Sequence, residues 1–150
     1  MKRFLLLSLI TLVFSCNRVK EKPMVEEIQK ELNIIGSWKL MYADVLENDS
    51  LQIKDMRNTE FIKIINDSHF AFFNMNETNS DAFMAGGGSY TLLGNKYTEK
   101  LDFFKNRDYR GEIFHFTVEM KGDTLIQHGL EEIKEANIKR YIVEKYLRVK

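Results

Sequence analysis

One cysteine and one proline stand among the 150 residues of this chain. A single thiol excludes an intramolecular disulfide framework, and with it the stapled folds of small secreted domains. Scarce proline argues against extended linkers and polyproline segments. No charge of one sign dominates, since 22 Lys and Arg face 22 Asp and Glu. That balance lacks the basic field of a nucleic-acid binder and the acidic tail that would draw a basic partner. Long apolar runs are missing too. The longest lies between Phe4 and Phe14, short of the ~20 residues that cross a bilayer as a helix.

Chemistry-bearing clusters are equally sparse. His69, His115 and His128 stand apart, with no two at a ligand spacing, so neither a metal nor a cofactor is expected. No nucleophile elbow is present. Gly86-Gly87-Gly88 precedes Ser89-Tyr90-Thr91 rather than Lys-Ser/Thr, which favours a bent strand over a phosphate cradle. Glu99 and Glu144 are the one candidate pair of acids across an interior, and the chain is not expected to be an enzyme.

Aromatics are abundant, with 11 Phe and 6 Tyr, and they recur in alternating runs bounded by turn residues. These runs predict strands over about 36–44, 59–66, 69–76, 83–94, 96–104, 111–121, 123–133 and 138–149. Asn66-Asp67-Ser68, Gly94-Asn95, Lys121-Gly122-Asp123 and Glu135-Ala136-Asn137 supply tight turns. The fold class is therefore all-β: about eight antiparallel strands in an up-and-down barrel, the size whose interior holds one small ligand. Residues 131–140 also admit a helical turn. The connection 45–58 carries Val45, Leu46, Leu51, Ile53 and Met56, and reads either as a lid or as rim packing.

The N-terminus reads as an export signal. Lys2 and Arg3 precede the apolar stretch, and Ser15-Cys16 follows it. Val13-Phe14-Ser15-Cys16 resembles a bacterial lipobox, which implies residues 1–15 as signal peptide and Cys16 as lipid acceptor. An ordinary signal peptide with an incidental cysteine is the alternative. Residues 16–33 then form a tether and a short helix, with Met24, Ile28 and Leu32 at helical spacing after Pro23. The folded domain spans 34–150. Acyl chains contribute ~0.8 kcal/mol per buried CH2, enough for a multiply acylated cysteine to hold the protein at a membrane.

Gly36-Ser37-Trp38 opens the first strand, and Arg148 lies in the last. This pairing resembles lipocalins and fatty-acid-binding proteins, where a Gly-x-Trp is covered by a late arginine that closes one barrel end. Together with Gly86-Gly87-Gly88-Ser89-Tyr90-Thr91 and Gly94-Asn95-Lys96-Tyr97-Thr98-Glu99, it is similar to lipocalin-like (calycin) lipoproteins of Gram-negative bacteria, which bring no assigned activity. The resemblance implies a structural pair Trp38–Arg148 and a ligand-holding cup, on a protein exported and lipid-anchored at the cell envelope. Two placements of the anchor fit that reading, one facing the periplasm and one on the outer-membrane surface.

Strand alternation then assigns faces. Phe114, Phe116, Val118 and Met120 share the inner face of their strand, and Tyr42 follows Trp38 and Leu40 in theirs. In the last strand, pattern favours Tyr141, Val143, Lys145, Leu147 and Val149 inside. The resemblance favours Ile142, Glu144, Tyr146 and Arg148, and that set is adopted. Candidate ligand-binding residues are Tyr42, Phe72, Tyr90, Tyr97, Phe103, Phe114, Phe116, Glu144 and Tyr146. The expected function is a monomeric, membrane-anchored lipoprotein that holds a small hydrophobic or amphipathic molecule and does not bind nucleic acid. A packed barrel acting as an interaction module is the alternative, and a small barrel enzyme the third class.

Overall fold

The computed structural model describes residues 32–150. The signal peptide, the Cys16 lipidation site, the tether and most of the short helix lie outside the described residues. Nine strands follow in chain order: β1 (Gly36–Glu47), β2 (Ser50–Ile53), β3 (Thr59–Ile65), β4 (His69–Asn76), β5 (Asn79–Leu93), β6 (Lys96–Phe104), β7 (Ile113–Lys121), β8 (Thr124–Ile133) and β9 (Ile138–Arg148). One turn of 3-10 helix, Arg107–Tyr109, joins β6 to β7. All neighbours are antiparallel, in the order β2-β1-β3-β4-β5-β6-β7-β8-β9, and β1 also pairs with β9. Closure makes an eight-stranded up-and-down barrel with β2 as an extra strand, which fits a calycin-like fold.

Local chemistry explains the hairpins. The Asn66 side chain accepts the backbone N–H groups of Ser68 and His69, turning β3 into β4. Gly94 and Gly122 adopt φ of 61°, as their tight turns require. Asn48 and Asp49 both take positive φ and reverse the chain, so much of 45–58 is strand, with Val45 buried, Met56 packed against the core, and Leu46, Leu51 and Ile53 exposed. β1 runs on to Glu47, reverses at Asn48-Asp49, and β2 pairs back along it from Glu47↔Ser50 to Asp44↔Ile53. The upper half of β1 thus pairs with β2 and β9, while Thr59–Phe61 of β3 pair with β4 alone. The barrel mouth opens at that parting.

Alternation sets the core until a bulge reverses it. In β7, Phe114, Phe116 and Val118 are buried while Ile113 and His115 face solvent. In β1, the register against β9 shifts between Leu40 and Tyr42, so Ala43 and Val45 point inward. Tyr42, expected on the cup wall, is instead on the outer face, where it donates to Asp44 at 2.9 Å beneath the Lys145 ammonium. In β6, the shift lies opposite Gly87/Gly88, where Gly87 faces Phe103 and Gly88 faces Leu101. Phe103, also expected on the wall, is turned out and 70% exposed, and Phe104 takes its place inside. A single extra residue moves every later side chain to the opposite face.

The glycine triplet serves this bend. A side chain on Gly87 or Gly88 would press on backbone atoms of β4 or β6, and one on Gly86 would meet the rings of Phe72 and Phe104.

At the closed end, Trp38 is fully buried and its Nε1–H donates to the Ile34 carbonyl at 2.8 Å. Arg148 lies over the indole with its guanidinium carbon 4.1 Å from the ring centre. Its Nη1 donates to Ile35 O at 2.7 Å and its Nη2 to Asn33 O at 3.1 Å. The segment ahead of β1 is thereby tied across the barrel floor, with Ile34 in the core.

Candidate functional site

Between that floor and the mouth, the interior encloses a cavity of about 370 Å³, within the ~300–1,000 Å³ range of small-ligand sites. Its base is a buried polar cluster. The Lys63 ammonium from β3 is ion-paired with Glu99 of β6 and donates to Gln127 Oε1 of β8 at 2.9 Å. Lys63 is only 3% exposed, and the rings of Phe70 and Tyr97 each lie 5.1 Å from its nitrogen. A charge so buried needs its partners, because removing either would leave the other desolvated and unpaired.

Two unlike walls rise from this base. On the β3–β6 side, Phe61 stacks on Phe72 at 5.5 Å, Phe72 meets Phe104 at 6.1 Å, and Phe104 meets Tyr109 at 5.1 Å. Gly86 makes room for this arc, since any side chain there would strike Phe72 and Phe104. On the β8–β9 side, Gln127, Glu131, Arg140, Glu144 and Tyr146 form a polar ridge. Strand order around a closed eight-stranded barrel sets β4 across from β8 and β5 across from β9. The cavity is therefore aromatic on one side and polar on the other. Leu101, Phe114 and Phe116 complete the lining, with Lys54 and Met84 near the rim.

The ridge is internally bonded. The Tyr146 hydroxyl donates to Glu144 Oε2 at 2.6 Å, and Arg140 Nε donates to Glu131 Oε2 at 2.6 Å. Burial pushes the Glu144 carboxyl above its ordinary range, against the opposing pull of the Tyr146 hydrogen bond and the Lys63 charge. Burial likewise lifts the Tyr146 phenol well above 10, helped by the adjacent Glu144 charge. Both groups favour their protonated forms more than free side chains do.

Of the residues singled out from sequence, Phe72, Phe114, Phe116, Glu144 and Tyr146 line this cavity. Tyr97 lies beneath it, buried, with no hydrogen-bond partner for its hydroxyl among the described residues. Tyr90 packs on Tyr97 at 5.1 Å and donates to Asn66 O at 2.7 Å, which places it at the closed end. Tyr42 and Phe103 are outside the barrel. The three histidines are separate and outward: His69 bonds Ser68, His115 bonds Thr98, and His128 bonds Tyr141.

Sequence reasoning passed over Lys63, Gln127, Glu131 and Arg140. A signal for Lys63 was present, since it shares the β3 face of Phe61 and Ile65. A lysine between two core residues of one face is either bonded inside or misread. Gln127 shares its face with the core residue Leu125, a weaker form of the same mark.

Comparison with curated proteins and with solved structures returns no match. Residues 33–150 match the family model described as a domain of unknown function, DUF4488. The barrel, its closed end and its interior cavity all lie within the matched span, and the chain belongs to that family.

Proposed function

We propose that this protein is a non-catalytic binding protein that holds a small amphipathic molecule inside its barrel. The observation that carries the reading is the cavity of about 370 Å³ with an aromatic arc facing a polar ridge. A solid barrel acting through its outer surface would fill this space with its own Phe and Met side chains. Binding is favoured over turnover because Glu99 is held by Lys63, so Glu99 and Glu144 are not a free acid–base pair. The Val13–Cys16 motif supports export and lipid anchoring at the cell envelope, with the barrel soluble beside the membrane as a monomer.

Native mass spectrometry of the full chain, purified in a mild nonionic detergent, tests the cup. A small molecule that leaves only on unfolding supports it. A clean apo mass, with no thermal shift across a panel of amphiphiles, moves the reading to the interaction module. Cys16→Ser tests the anchor independently. The variant is expected to leave the membrane fraction, and one that stays there refutes lipidation at Cys16.

A further inference from the structure

The charges inside the barrel are not all matched. Lys63 is engaged by Glu99 and Gln127, and Arg140 by Glu131, while Lys54, the third cation of the lining, forms no salt bridge among the described residues. Glu144 is the cavity-lining carboxylate that no Lys or Arg among the described residues pairs with at salt-bridge distance. Its Oε2 accepts the Tyr146 hydroxyl, and its Oε1 has no hydrogen-bond donor among the described residues. Ionised there, it has one neutral donor to replace its lost hydration, a deficit that an adjacent cation removes.

The surroundings select the sign and shape of the missing partner. Tyr146, whose hydroxyl bonds Glu144, sets its ring 6.1 Å from Phe61, the first ring of the arc. An ammonium beside Glu144 is thus also near aromatic faces, whose negative quadrupoles attract cations. A ligand carboxylate there would meet the like charge of ionised Glu144, while Lys63 is already neutralised by Glu99, Arg140 is held by Glu131, and Lys54 makes no salt bridge with Glu144. Beyond the head group, Phe61 and Phe72 lie parallel, with planes 9° apart and centres 5.5 Å apart, and Phe104 continues the aromatic wall. An aromatic body can stack or tilt against these rings.

We infer that the barrel takes a small arylalkyl amine, its ammonium on Glu144 Oε1 and its flat ring along Phe61, Phe72 and Phe104. This assignment rests on the cup reading above and narrows it to one chemical class. Binding is non-covalent, and Glu144 acts as counter-ion.

The test is calorimetric titration of the full chain, in the same detergent, with three probes of one size and three head groups: phenethylamine, phenethyl alcohol and phenylacetate. Phenethylamine is expected to bind about tenfold or more tightly than either of the others, a difference worth ~1.4 kcal/mol. Glu144→Gln, isosteric and checked for folding by its melting transition, is expected to lower the amine to about the level of the alcohol, so that the amine-over-alcohol ratio is lost. Equal binding of the three probes on the wild-type chain, or a preference for phenylacetate, overturns the amine class and leaves the cup standing. An amine preference that survives Glu144→Gln overturns the role of Glu144. Should none of the three bind, the amine class falls. The cup then falls with it only if native mass spectrometry also finds no co-purified molecule.

Discussion

Arg148, in the last strand, lies over Trp38, in the first, with its guanidinium carbon 4.1 Å from the centre of the indole. The two are direct cross-strand partners at the β1–β9 seam that closes the barrel. Gly36 is part of the same device. It sits at φ +147°, and a side chain there would come within 2.5 Å of the Arg148 guanidinium. Arg148→Lys keeps the charge and loses the planar fork that reaches Ile35 O and Asn33 O together. It is expected to cost ~1–2 kcal/mol, because the site is partly open to water. Urea unfolding measures this, and an unchanged midpoint would remove Arg148 from the closure.

Lys63 and Glu99 give a non-additive pair. Lys63→Met alone leaves the Glu99 carboxylate buried without its cation, at an expected cost of ~3–5 kcal/mol. Adding Glu99→Leu is expected to recover most of that loss. A double-mutant cycle by urea denaturation reads the coupling. Simple additivity would mean that the pair is not formed in solution.

Glu144 sets a pH dependence of stability. Its folded carboxyl holds a proton above 4.5, the ordinary value, so in that window the folded chain binds more protons than the unfolded one. Its contribution is full below pH 4.5 and is lost as pH rises through the folded pKa. The groups that act on it are Tyr146 on its own strand, Lys63 on β3, Glu131 on β8 and Lys54 after β2. Glu144→Gln is expected to remove this decline and to be the more stable chain in the neutral range, by ~1.4 kcal/mol per unit of pKa separation. Unfolding curves of both proteins from pH 4.5 into the neutral range are compared; parallel curves would count against a buried Glu144.

The β6 bulge can be checked through adjacent phenylalanines. Phe104 lines the cavity and Phe103 is exposed, so Phe104→Ala is expected to cost ~3 kcal/mol or more. Phe103→Ser is expected to stay within about 0.5 kcal/mol of wild type. The reverse order of melting temperatures would place the bulge elsewhere.

Gly88 and Gly122 separate steric from conformational need. A side chain on Gly88 would run into the Lys100 carbonyl of the neighbouring strand, and the displaced backbone costs ~3 kcal/mol or more. Gly122 has open space around it and only its φ of +61° to defend, so Gly122→Ala is expected to cost ~1 kcal/mol. Thermal melts of the two alanine variants rank them, and equal losses would contradict the close approach at Gly88.

The strand pattern of this barrel is legible along the chain. Alternating Phe, Tyr, Ile and Val with turn residues between them bound β3 to β9 to within a few residues. Gly36, Trp38 and Arg148 pointed to closure through their resemblance to the lipocalin pattern, while alternation by itself favoured the other face of the last strand. Side-chain alternation is local, and a local rule survives folding wherever the register is unbroken. Phe114 and Phe116 were placed by that rule alone.

The bulges were not local in the same sense. Met41 and Asp102 look like any strand residues. Their extra length is absorbed only because β9 and the Gly87-Gly88 backbone approach from another part of the chain. Those two shifts moved Tyr42 and Phe103 outward and Phe104 inward. The inner face of β9 was decided the same way: β1 and β8 set Glu144 beside Ala43 and Gln127, against the more apolar alternative. The ion pair of Lys63 with Glu99 joins strands 36 residues apart, and no spacing in the chain announces it. Hydrophobic periodicity determined which segments pair and which way most of them face. Closure of the barrel decided which charges are shut inside together, because only three-dimensional proximity can neutralise a buried charge.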